Sequence, residues 1–100
     1  MKETFDKYVN NYDLENEKIR SRYKHSLRVM ELSKKYSKLL GFSDYDVELA
    51  TLIGLIHDIG RFEQIKIYDS FDDSKTVDHA HFGVKILFEE GMIKSFWKNE

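Results

Sequence analysis

One hundred residues suffice for one small domain, and an apolar fraction of 41% with 14% aromatics supplies a single core. The net charge is −2, with both signs interspersed among the 34% of residues that are charged, which excludes a general attraction to nucleic acid or an anionic membrane. The chain has no cysteine, so it has no disulfide framework and no thiolate metal site, and any metal must be held by nitrogen and oxygen. The longest apolar stretch, around residues 49–56, is far short of the ~20 residues that span a bilayer. The N-terminal MKETFDKYVNNY is too acidic and too poorly apolar for a signal peptide, so the expected setting is a soluble, cytoplasmic protein. Proline is absent, which fits an all-helical chain broken by glycine and polar clusters.

Residues 2–11 form a short amphipathic segment, with Phe5, Tyr8, Val9 and Tyr12 at helical spacing. Asp13 is placed to cap a longer helix from about Leu14 to Leu40. Ile19, Tyr23, Leu27, Met30 and Lys34 form one stripe of it, and Gly41 supplies the stop. Ser43-Asp44-Tyr45-Asp46 resembles a capping start, its acids matching the positive helix end. The next helix is expected to run to about Ile59. It is apolar on most faces, as suits the centre of a bundle, and Gly60 is expected to break it. Residues 61–67 read as one short helical piece and residues 68–76 as a loop. A fifth helix carries His79, Phe82, Gly83, Ile86, Leu87 and Glu90, ending at Gly91, and a further helix starts at Met92. The expectation is a single all-α bundle of about five to six helices, without repeat or linker.

The chemistry concentrates at His57-Asp58, directly after the apolar run ATLIGLI. Both groups would carry a heavy desolvation cost there unless paired or bound to a cation. An adjacent His-Asp pair at a helix end can offer an imidazole nitrogen and a carboxylate oxygen to one metal ion. A third ligand from a neighbouring helix would close most of the shell, and His25 lies upstream on another expected helix. Of the other histidines, His79 stands at a helix start where Asp78 can serve as cap, and His81 points elsewhere, towards the surface. Arg61 can reach a phosphate oxygen or pair with Glu63 or the loop acids. Lys24, beside His25, reads as solvated. Phe71, Phe82, Phe88, Phe96 and Trp97 read as core or oligomer surface. With Lys and Arg matched by acids along the chain, no basic stripe marks a nucleic-acid binder.

Taken together, His25, then His57-Asp58-Ile59-Gly60-Arg61, then Asp78-His79-Ala80 with Gly83, resembles the HD superfamily of metal-dependent phosphohydrolases. More narrowly, HDIGRFEQ followed by a loop and DHAHFGVKILFE is similar to small bacterial HD-domain proteins. The resemblance covers roughly residues 20–92. It implies an HD-type helical bundle in which His25, His57 and Asp58 ligate a divalent metal ion (Mn, Fe, Co, Ni, Zn or Mg). It also implies a hydrolytic role for Asp58, Arg61 and His79, the last two neutralising charge on a phosphate. The family's last ligand is an aspartate on a helix well downstream, and no Asp follows Asp78 here. The resemblance therefore implies a partial HD-type domain over residues 1–100, truncated before that helix. Water, another molecule, or one of Asp69, Asp72, Asp73 and Asp78 would complete the shell.

The expected function is hydrolysis of a phosphomonoester or phosphodiester, a nucleotide among the candidates, by a metal-activated water. The alternative is a non-catalytic metal-binding or self-associating HD fragment. Expected partners are the phosphate-ester or nucleotide substrate and a second copy of the chain in a homodimer, with neither nucleic acid nor membrane.

Overall fold

The computed structural model describes residues 2–70, 79–89 and 91–96, and within them the chain is all-α. Four helices of eight or more residues come first: α1 (Lys2–Val9), α2 (Glu17–Leu39), α3 (Asp44–Ile56) and α4 (Gly60–Tyr68). Shorter pieces follow: α5 (His79–Val84), which continues as a π-helical turn over Lys85–Glu89, and α6 (Met92–Phe96). Among the described residues, no helix is long and apolar enough to cross a membrane. The long-helix count is thus a little below the five to six expected.

Local chemistry sets the boundaries. Helix α1 turns Phe5, Tyr8 and Val9 inward and is pinned outside by the Lys2–Asp6 ion pair at 2.9 Å. Asp13 does not cap α2. Its Oδ1 accepts from the Glu15 amide in a separate turn, and Asn16 caps the helix instead, accepting from the Lys18 amide at 2.9 Å. Helix α2 then runs without glycine or proline to Leu39. There Gly41 adopts φ 79°, and the amides of Gly41 and Phe42 donate back to the carbonyls of Lys38 and Ser37. That paired closure needs a left-handed residue, which is why glycine stops this helix. Ser43 caps α3 as expected, its hydroxyl accepting from the Asp46 amide.

Helix α3 ends earlier than its hydrophobicity suggested. The chain leaves the helix after Ile56, turns through His57, Asp58 and Ile59, and re-enters at Gly60. Gly60 is therefore the first residue of α4, not the break. Nor is α3 surrounded on all sides: Leu52, Leu55 and Ile56 are buried, but Ile53 is 55% exposed.

Helices α2 and α3 make the most extensive packing, α5 docks on α4, and α1 closes against α3 and α6. Phe5, Val9, Ile19, Leu52, Leu55, Ile59, Phe62 and Ile65 form the core between them. Phe5 stacks on Tyr23 and meets Phe62 edge-on, each with ring centroids 5.9 Å apart. At its solvent edge Tyr12 donates to Glu63 at 2.6 Å and contacts the Tyr8 hydroxyl at 2.7 Å, tying α1 and its following turn to α4.

Candidate metal centre

The turn between α3 and α4 carries the site. Its first residue, His57, follows directly on the helix, beside the last four carbonyls of α3, which no in-helix amide satisfies. His57 Nδ1 donates to one of them, the Gly54 carbonyl, at 2.8 Å. This fixes the ring and directs Nε2 at the neighbouring carboxylate, 3.1 Å from Asp58 Oδ2. A histidine whose rear nitrogen is held by a carbonyl is the usual arrangement of a metal-binding imidazole. The approach of α2 depends on Gly54 as well. A methyl group there would lie 2.6 Å from Ser33 Oγ and 3.0 Å from the Val29 carbonyl.

That approach brings His25, midway along α2, to the same carboxylate: its Nε2 lies 3.5 Å from Asp58 Oδ2. The His25 and His57 rings are 5.5 Å apart at an angle of 55°. From α5, His79 Nε2 reaches the other oxygen, Oδ1, at 3.1 Å. Three imidazoles on three different stretches of chain thus converge on one buried side chain, two on Oδ2 and one on Oδ1. His79 can come so close because α5 crosses the start of α4 at a glycine. A Cβ on Gly60 would collide with the His79 carbonyl and the Gly83 amide nitrogen.

The electrostatics follow from this crowding. The hydrogen bond from His57 outweighs burial and, with the charges of His57, His79 and Arg61, holds the Asp58 carboxyl at about 2. The same bond to Asp58 raises His57 above its ordinary value against the effect of burial. His25 moves the opposite way, lowered by burial and by the Arg22 guanidinium.

One ligand atom from each of His25, His57 and Asp58 can be chosen so that all lie within 4.8 Å of one another. Bonds of about 2.1 Å to a first-row divalent ion would place ligands some 3–4 Å apart, so the donors fit such an ion after a small contraction. The donor set of two imidazole nitrogens and a carboxylate oxygen suits these metals and leaves their identity open.

The other candidate residues are sorted by the same geometry. Arg61 is half-buried and donates to Gln64 Oε1 at 3.1 Å, with its charge felt at Asp58. Glu63, one of the alternative partners considered for Arg61, accepts from Tyr12. Asp69 is no substitute ligand: it is exposed at the C-terminus of α4, in a left-handed conformation, and pairs with Lys18 at 3.1 Å. Asp72, Asp73 and Asp78 lie outside the described residues, as do Phe71 and Trp97. Lys24 is exposed, as expected.

Sequence reasoning missed Arg22, whose charge acts on both His25 and His57. It also missed a cationic run: from Lys18 to Arg28 there are five Lys or Arg residues and no acid. Averaging charge over the whole chain hid that run. A window the length of one helix reveals it.

Comparison with known proteins gives one match. The family model of the HD domain matches residues 22–95, a span that includes all three histidines at the site, Asp58 and Arg61. No curated protein and no solved structure matches the chain. With that match covering most of the sequence and the clustered donors falling inside it, the chain belongs to the HD domain family.

Proposed function

We propose that this protein is a metal-dependent phosphohydrolase acting on phosphate esters, nucleotides among them. The observation that carries the reading is the convergence of three imidazole Nε2 atoms on the buried Asp58 carboxylate. His25, His57 and Asp58 would hold the divalent ion. When bound there, such an ion supplies Lewis acidity and makes water a better nucleophile near neutral pH.

The chain's own groups do the remaining work. The Gly54 carbonyl keeps the proton of His57 on Nδ1, leaving Nε2 available as a donor. His79 holds the second Asp58 oxygen and so fixes the plane of the carboxylate. Arg61, steadied by Gln64, offers a guanidinium to a phosphate oxygen, where a planar donor pair stabilises developing negative charge.

The test is turnover of p-nitrophenyl phosphate and bis-p-nitrophenyl phosphate by protein loaded with Mn or Ni. Hydrolysis that His57→Ala abolishes is the expected result. No turnover with either substrate, or turnover that His57→Ala leaves intact, overturns the reading.

A specific observation supports a second reading, self-association. Tyr36, Leu39 and Leu40 at the end of α2, Phe42 beyond it, and Tyr45 and Ile53 on α3 are all exposed, with Leu39 at 71% and Leu40 at 73%. Large apolar side chains left in solvent mark interaction faces where they gather, and a second copy of the chain is the proposed occupant.

A further inference from the structure

We infer that the substrate carries a short chain of phosphates, and that those beyond the one attacked lie along α2 in a groove formed by Arg20, Arg22, Lys24 and Arg28. This rests on the phosphohydrolase reading and names the substrate class of that site. The groove has a volume of about 370 Å³, and His25 lines it alongside the four cations. It therefore opens from the candidate metal centre onto a cationic wall, with Glu17 as the sole acid in its lining.

Among the described residues, Arg20, Lys24 and Arg28 have no carboxylate partner. Arg20 is held by the carbonyls of Leu14 and Glu15 at 3.3 and 3.5 Å, and Arg28 leans on His25 Nδ1 at 3.5 Å. Both contacts position a guanidinium while leaving its charge uncompensated. Arg20 with Lys24, and Lys24 with Arg28, are like-charged pairs four residues apart, a spacing at which helix side chains are neighbours and repel. An anion bridging them relieves that repulsion.

Charge matching then sets the number of phosphates. A single terminal phosphate is met by the ion and Arg61, which leaves Arg20, Lys24 and Arg28 without an anionic partner among the described residues. From Arg20 to Arg28 the helix rises about 12 Å at 1.5 Å per residue, room for further phosphates in a row. The groove contains no Phe, Tyr or Trp on which a run of bases could stack. It also occupies one face of one helix in a chain of net charge −2. A polyphosphate group, read without regard to what it is attached to, fits these features better than a nucleic-acid strand.

The experiment is isothermal titration calorimetry of the full chain, freed of metal, with inorganic tripolyphosphate, orthophosphate and a single-stranded RNA oligonucleotide. Omitting metal separates groove binding from turnover and prevents tripolyphosphate from acting as a chelator. Tripolyphosphate is expected to bind at least tenfold tighter than orthophosphate. The double variant Lys24→Gln/Arg28→Gln, both exposed positions, is expected to lose that preference while keeping its helical circular dichroism. Arg20→Gln should weaken tripolyphosphate binding on its own. Equal affinity for the two phosphates, a preference that survives the double variant, or tighter binding of the RNA would each overturn the inference. If the preference is found and the metal-loaded protein has no turnover, the hydrolase reading fails alone. If p-nitrophenyl phosphate is hydrolysed without any tripolyphosphate preference, the groove assignment fails alone.

Discussion

At His57 a proton and a metal ion compete for the same atom, because Nδ1 is committed to the Gly54 carbonyl and only Nε2 faces Asp58. Metal affinity should therefore rise as pH climbs past 6.5 and through the raised value of His57, since binding must displace its proton. Calorimetry in two buffers of different ionisation enthalpy should show about one proton released per ion near pH 6.5 and fewer at higher pH. A pH-independent affinity would contradict the geometry. The metal-free protein should show the complementary behaviour. His57, raised in the folded state, contributes stability that is fully present below 6.5 and lost as pH rises through its folded value. Asp58, depressed to about 2, contributes stability present above 3.8 and lost as pH falls towards that value. Asp58→Asn should therefore cost most between roughly pH 4 and 6.5, up to about 2 kcal/mol at about 1.4 kcal/mol per unit, and less at pH 9. Urea titrations of both proteins at pH 5.5 and 9 check the sign.

Among the elements, the contact of α4 with α5 decides whether His79 belongs to the site. Gly60 allows it by having no side chain where the His79 carbonyl and Gly83 amide sit. Because these are backbone atoms, Gly60→Ala cannot be absorbed by a rotamer change. It should cost about 1–3 kcal/mol, as overpacking of a tight contact does, and release His79 from Asp58. Nuclear Overhauser contacts between the His79 ring and the Asp58 side chain should be lost in the variant, while those between the His25 and His57 rings remain. The α2–α3 contact at Gly54 is more forgiving, since its nearest obstacle is the rotatable Ser33 hydroxyl. The ends of α2 illustrate how far local signals reach. Gly41 acts as the sequence suggested, because a left-handed stop is a property of the residue itself. The start shifts from Asp13 to Asn16, because both residues are good caps and the chain first makes a turn closed by the Asn16 amide on the Asp13 carbonyl.

Across the whole molecule, the exposed apolar face of α2 and α3 and the Tyr12–Glu63 tie make separate predictions. Light scattering at tens of micromolar, a concentration chosen to populate even a weak interface, should show a dimer, and Leu40→Glu/Ile53→Glu should return it to monomer. A monomer at that concentration would remove the self-association reading. Tyr12→Phe deletes a hydrogen bond to a carboxylate that joins the turn after α1 to α4, and it leaves Glu63 half-buried with its strongest partner gone. The expected loss is about 1.5–3 kcal/mol in thermal or urea unfolding. Metal affinity should be unchanged, because neither residue touches the His-Asp cluster.

Periodicity and capping residues made the all-α class and most helix positions legible in the sequence, and the family resemblance pointed to His25, His57 and Asp58, which the fold brings within reach of one another. These signals are local: spacing along a helix, a residue able to turn left-handed, a charged pair placed after an apolar run. What the sequence could not supply was decided by packing between distant segments. Only the crossing of α5 over Gly60 puts His79 on the second oxygen of Asp58. Only the Tyr12 hydroxyl draws Glu63 away from Arg61, and only the packing of α2 against α3 brings His25 to the Asp58 carboxylate. Each of these depends on distances between residues far apart in the chain, which composition and spacing do not encode.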